Sequence, residues 1–389
     1  MKTTVDILNM SVGQTDLHPS IRNILLEPLE TPTYFKDYKD LELETIDLLK
    51  RLINAENVFI LLGTGRTGLE AGIYNIISPG DKVICLDNGQ WGNFFGKLAE
   101  SQEANVSYIK SGLGDELDYK ALENQLQNEK DIKAILMTQC ETSTGVLNSI
   151  EIVASLIKQY SSGTLLMVDG ISAFGGVEVN CVENNIDFYC GGSQKCLNAP
   201  QGTPIIALSD RALNVTTNNE NNKFLHTLTL TNKASFILTK GLNSVVKEIF
   251  REGENNTYER HTLMAKSVRK GLEAMGLNVL AVTDAIASPT CTRIAFPSDI
   301  QKEIDTERKK NGIDQDRVTQ HMKNNYHVVI AEDRIGTMGY FANHQNIIRV
   351  LYALEQTLFD LYNINTQGKG VLEALKVLNQ NKGLKEYSF

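Results

Sequence analysis

Residues 191–202 read Gly191-Gly192-Ser193-Gln194-Lys195-Cys196-Leu197-Asn198-Ala199-Pro200-Gln201-Gly202. A single lysine stands among small and neutral side chains, directly after the apolar run 186–189 (IDFY). Such a run fits a strand buried on both faces, which places Lys195 just past a strand end. A lysine enclosed there loses the hydration of its charge. Its pKa falls, and the free amine becomes a nucleophile of the kind that forms Schiff bases with aldehydes. The plain alternative is a solvated surface lysine.

Working outward, similar runs recur at 58–62, 83–86, 106–109, 134–137, 165–168 and 204–208. Between most of them the apolar spacing is helical, as in 68–77 and 150–160. Strand alternating with helix specifies an α/β fold with a mostly parallel sheet flanked by helices. The last two strands have no clear helix between them, so one antiparallel member is expected. Past residue 255 the pattern changes to α+β. A long helix is expected at 261–275, strands at 291–296, 328–331 and 347–351, and a helix at 370–378. The expected domains are therefore 1–255, large, and 256–389, small.

Several strand ends carry chemistry. Asp169 follows the run 165–168, and an acid at the carboxyl end of a buried strand faces the crevice where α/β proteins bind ligands. A helix cap or an ion pair is the bland alternative. Gly63-Thr64-Gly65-Arg66-Thr67-Gly68 lies between a strand and a helix, so its backbone N–H groups suit a phosphate. Its letters also match a dinucleotide fingerprint, with Asp87 as the ribose acid. Asn88-Gly89-Gln90-Trp91-Gly92 holds the chain's only tryptophan on an expected loop, where a flat ring suits stacking on a cofactor. Glu141-Thr142-Ser143-Thr144-Gly145 offers hydroxyls, either for turn formation or for a cofactor oxygen. Acid, lysine and phosphate loop together meet the needs of pyridoxal phosphate. The dinucleotide reading leaves Lys195, Asp169 and Trp91 without work.

Composition sets outer limits. The chain has 389 residues, is 42% hydrophobic, and carries 38 basic against 47 acidic side chains, a net charge of −9. No basic block is present to neutralise nucleic-acid phosphates. No apolar run is long enough to span a bilayer, and the start MKTTVDILNM lacks signal-peptide features. Six scattered cysteines form no CxxC pair, so reduced core thiols in a cytoplasmic protein are expected, with no metal site.

Five segments in order, GTGRTGLEAG, NGQWG, CETSTGVLN, MVDGISAFGG and GGSQKCLNAPQG, resemble the class V, fold type I pyridoxal-phosphate aminotransferases. The alanine–glyoxylate and serine–pyruvate branch is the most similar. The resemblance implies a large sheet domain and a smaller α+β domain. It implies that Lys195 is the Schiff-base lysine and that Asp169 pairs with the ring nitrogen. It implies that Trp91 and Ile171 enclose the ring, and that Ser143 reaches its phenolic oxygen. Thr64, Gly65, Arg66 and Gln194 fall at the phosphate. His226-Thr227 resembles a segment that reaches the phosphate from a partner subunit, which implies a homodimer. Arg349 is taken as the carboxylate-binding arginine.

The chain departs from the family pattern in places. Arg66 replaces a histidine or small residue, and Phe224 a tyrosine. Ser11-Val12-Gly13-Gln14 replaces a Gly-Pro-rich turn. Val350-Leu351 follows Arg349 where the family has Ile-Gly. The implied reaction moves an amino group from a small amino acid, such as alanine or serine, to glyoxylate or pyruvate. The alternatives are a 2-aminoethylphosphonate–pyruvate aminotransferase, in which Arg334 supplies a second charge, and a lyase on the same cofactor.

Overall fold

The computed structural model describes residues 6–24, 26, 36–218, 235–312 and 316–380. A short strand, β1 (Leu8–Asn9), and a short helix, α1 (Pro19–Ile24), precede α2 (Lys36–Ile53). Strand and helix then alternate through β2 (Asn57–Ile60), α3 (Gly65–Ile76), β3 (Lys82–Asp87), α4 (Gln90–Glu100), β4 (Asn105–Lys110) and α5 (Tyr119–Asn128). Next come β5 (Ile132–Thr138), a small hairpin of β6 (Cys140–Glu141) and β7 (Val146–Leu147), and α6 (Ile150–Tyr160). Three buried strands follow, β8 (Leu165–Asp169), β9 (Phe188–Gly192) and β10 (Pro204–Leu208), then α7 (Asp210–Asn218).

Seven of these strands form one sheet in the order β2-β10-β9-β8-β5-β3-β4. Only β10 is antiparallel, to β9 and to β2. Strand side chains alternate between faces, and two cores result. Val58, Ile135, Val168 and Ile205 point to the face covered by α2, α5 and α6. Val83, Leu136, Met167 and Ile206 point to the face covered by α3, α4 and α7. The outer strand β4 departs from the expected fully buried run: only Ile109 is buried, because β4 has a neighbour on one side alone.

The rest of the described chain comprises α8 (Phe236–Glu252), α9 (Glu254–Ala274), β11 (Asn278–Val279), β12 (Cys291–Ala295) and α10 (Ser298–Asn311). It continues with α11 (Arg317–Tyr326), β13 (Val328–Val329), β14 (Arg334–Gly336), α12 (His344–Tyr362) and α13 (Lys369–Gln380). These elements from α9 onward build a third core around Val268, Ile294, Leu351 and Leu354. Leu8 and Met10 join it, because β1 pairs in parallel with β13.

The expected strand at 347–351 is instead part of α12. Asn343 caps that helix by accepting from the Asn346 amide at 3.0 Å, and Ile347, Val350, Leu351, Leu354 and Leu358 form its buried stripe. Among the described residues, no helix is long and apolar enough to cross a membrane. All six cysteines are buried and unpaired.

Candidate active site

Every strand end named above meets at the carboxyl edge of the sheet. There a cavity of about 390 Å³ is lined by Thr64, Gly65 and Arg66 after β2, Trp91 after β3, Asp169 and Ile171 after β8, and Gln194 and Lys195 after β9. Cys140, Gln201, Gly13 and Gln14 complete the wall. A larger cleft of about 520 Å³ opens at the opposite edge of the sheet, beside Asp187 and Arg211. Its Asp187 is already satisfied by Arg211, Ser209 and the Leu166 amide.

Lys195 is buried, and its Nζ donates to the Val12 carbonyl. Burial lowers its pKa, and the nearby positive charge of Arg334 lowers it further. Asp169 is buried at the end of β8 and accepts from the Ile171 amide at 3.0 Å. Burial pushes its carboxyl up to about 7. An acid so placed holds its charge more readily when a cation arrives beside it.

α3 begins at the cavity. Thr64 and Thr67 close a capping box. That box uses the Thr67 amide and leaves the Gly65 and Arg66 amides without an acceptor. Only a glycine fits at position 65, since a Cβ would stand 2.6 Å from Ile171 Cδ1. The Arg66 guanidinium lies over the Trp91 ring, 5.2 Å from its centroid.

Trp91 sits in the first turn of α4 rather than on a loop. Gly89 provides no side-chain cap. The buried carboxylate of Glu141 takes that role, accepting the Trp91 and Gly92 amides at 2.8 and 3.0 Å. The Trp91 Nε1 is buried with no partner. Ser143 lies outside the cavity wall. Its hydroxyl donates to Glu141 at 2.6 Å and accepts from the Gln90 amide at 2.9 Å.

Arg349, like Ser143, lies outside the cavity wall. It extends from α12 to the carbonyls of Asp6 and His327, at 2.8 and 3.2 Å. It ties the first strand to the third core and does not reach the cavity. Arg334, on β14, is the arginine whose charge is felt at Lys195. Its Nη2 pairs with Glu332 at 2.6 Å, while its buried Nε has no partner. The Ile-Gly pair that the resemblance sets after the arginine follows Arg334 as Ile335-Gly336, a signal present in the sequence. Glu141 left no comparable signal, because its acceptor role is set by residues some fifty positions away. Thr227, with His226 and Phe224, lies outside the described residues. Among the described residues, no group of His, Cys, Asp and Glu side chains is arranged to hold a metal.

The residues present fit pyridoxal phosphate. They offer a buried amine of lowered pKa, a buried acid with no ion-pair partner among the described residues, free amides at a helix start, and a cavity lined by Trp91 and Ile171.

Comparison with known proteins agrees. The family model described as aminotransferase class-V matches residues 35–233. An uncharacterized aminotransferase of Methanocaldococcus jannaschii is 31% identical, over 95% of this chain and 97% of its own. The crystal structure of a pyridoxamine–pyruvate aminotransferase from Mesorhizobium loti superposes with a TM-score of 0.87 at 25% identity, over 98% and 99% of the two chains. That of a ureidoglycine–glyoxylate aminotransferase from Bacillus subtilis gives 0.86 at 25%, over 97% and 99%. The fold is fold type I. A family match over half the chain and relatives along nearly its whole length agree with the lysine, acid and phosphate cradle at the sheet edge: the chain belongs to the class-V aminotransferases.

Proposed function

We propose that this aminotransferase binds pyridoxal phosphate through Lys195 and moves an amino group from a small amino acid to glyoxylate or pyruvate. The observation that carries the reading is the buried Lys195 facing the buried Asp169 across one cavity. Pyruvate and glyoxylate are the acceptors named for the two solved relatives.

In this reading the bound cofactor supplies an aldehyde and an electron-accepting ring. Asp169 holds negative charge beneath the ring nitrogen. The Gly65 and Arg66 amides and the Arg66 side chain hold the phosphate, with Thr64 and Gln194 beside it. Trp91 and Ile171 would enclose the cofactor ring and keep water from it. Glu141 fixes the backbone that carries Trp91, and Ser143 holds Glu141. Lys195 Nζ, neutral more readily than an exposed lysine, takes the proton from the donor's Cα. Arg334 binds the donor carboxylate as a fork and so sets which Cα bond stands across the ring. The reading includes a homodimer, with Thr227 reaching the phosphate of the partner site, and a division of the chain near residue 255. A desulfurase-like lyase would need a mobile thiol. Cys291, on β12, is fully buried, and burial pushes its thiol up to about 12.

The test is a half-reaction. Protein carrying the cofactor is mixed with alanine, serine or 2-aminoethylphosphonate, and the cofactor's conversion to its amino form is followed by absorbance. Glyoxylate or pyruvate is then added to reverse it. Conversion by alanine or serine that glyoxylate or pyruvate reverses is the expected result. Release of product with return of the aldehyde form would assign a lyase instead.

A further inference from the structure

Three residues after Lys195, Asn198 is buried, with a left-handed φ of 51°. Its amide joins three separate parts of the chain. Its Nδ2 donates to the Thr15 hydroxyl at 2.8 Å, in the segment that also lays the Val12 carbonyl against Lys195. Its Oδ1 accepts the Tyr340 amide at 2.6 Å, in the turn that follows β14. Its backbone N–H donates to the Lys195 carbonyl at 3.0 Å, and its own carbonyl accepts from the His18 amide at 2.8 Å.

Thr15 completes the arrangement by donating to the carbonyls of Gln194 and Lys195, at 2.9 and 3.1 Å. From the other side, α9 presses the turn inward. His261 Nε2 accepts the Gly339 amide at 2.8 Å, and Arg260 donates to the Gly339 carbonyl at 2.7 Å. Gly339 has φ +62°, and a Cβ there would stand 1.9 Å from Asn198 Oδ1. Only glycine lets the turn come this close.

Arg334 lies at the start of β14 and Tyr340 just past its end, so fixing the turn fixes the strand. We propose that Asn198 is a positioning residue that holds Arg334 and the Val12–Thr15 backbone in register with Lys195. Among the described residues, its amide is the one side chain of the lysine's own loop bonded to both the N-terminal segment and the turn. A misplacement of an ångström at a reacting group costs about a hundredfold in rate. A small displacement of either neighbour is therefore felt at the chemistry. The inference rests on the reading of Lys195 as the cofactor-binding lysine.

The test is Asn198→Gly, which keeps the left-handed backbone and removes only the amide. The expected result is a protein that retains its cofactor and its borohydride-reducible link. Its kcat/KM for the donor falls about tenfold or more. The pH at which the bound chromophore titrates moves upward, because Arg334 is held less closely against Lys195. A lower melting temperature with unchanged kinetics and an unchanged titration midpoint would make Asn198 a plain structural joint and overturn the proposal. If Asn198→Gly does not fold, Thr15→Val removes the hydroxyl that accepts from Asn198 and donates to the Gln194 and Lys195 carbonyls. The same two measurements then show a smaller shift in the same directions, or overturn the proposal by showing none. A wild-type protein with no borohydride-reducible link at Lys195 would defeat the reading of the site itself. An intact wild-type link with unaltered variants defeats only the role of Asn198.

Discussion

Glu141 and Trp91 are joined by a 2.8 Å hydrogen bond from the tryptophan's backbone amide to a buried carboxylate 50 residues later in the chain. The same carboxylate accepts from Gly92 and from Ser143. The orientation of the chain's only tryptophan therefore depends on an acid that never touches its ring.

Replacing Glu141 with Gln removes the charge and turns one acceptor into a donor facing other donors. Hydrogen bonds to charged groups are worth about 1.5–3 kcal/mol each. Unfolding by urea should show a loss of about 2 kcal/mol or more, and the cofactor's dissociation constant should rise with it. Equal urea midpoints and equal affinity would show that α4 does not need this cap.

Lys195→Ala should leave the fold and the far-ultraviolet circular dichroism unchanged. It should abolish both turnover and the borohydride-stable adduct in the mass spectrum. A stable adduct at another lysine would move the assignment there.

Asp169 makes the cofactor-free protein sensitive to pH. Its folded pKa, about 7, lies above the ordinary 3.8. Between those values the folded state binds more protons than the unfolded state, so stability falls as pH rises. The contribution is full below pH 3.8 and gone above about pH 7. Melting temperatures of wild type and Asp169→Asn, compared across this window, should diverge, with the wild type losing ground as pH rises. Parallel curves would mean that the carboxyl is not raised.

The two arginines separate cleanly. Arg334→Lys keeps the charge and loses the fork, so kcat/KM for an amino-acid donor should fall by roughly 1–3 kcal/mol in barrier terms. Arg349→Lys should leave kcat/KM unchanged and lower stability by about 1 kcal/mol, through its bonds to Asp6 and His327. The reverse pattern would restore Arg349 as the carboxylate binder.

The legible parts of this chain were contiguous ones. Most of the strands are apolar runs in the sequence, and Lys195, Asp169 and the 63–68 loop each stand at or shortly after the end of one. What stayed hidden was set at long range. Trp91 reads as a loop residue because its helix has no local cap, and Glu141 comes from another strand end. The segment at 347–351 reads as a strand because four of its five residues are apolar, while the helical stripe that claims it runs on to Leu358. Arg334 and Arg349 differ less in their neighbours than in where β14 and α12 place them. Arg334 follows acids at 332 and 333, a pattern that suits a surface ion pair; Glu332 does pair with it, yet its Nε is buried and unpartnered.

The bond from Arg349 to Asp6 spans 343 positions of sequence, and that from Lys195 to Val12 spans 183. On a ribosome the N-terminal segment emerges first and waits longest. Its partner strand β13 is made only after the whole sheet has left the exit tunnel. The bonds of Val12 and Thr15 to the lysine loop can thus form before β1 pairs with β13, so the two anchors of the Gly13–Gln14 wall are made at different times in synthesis.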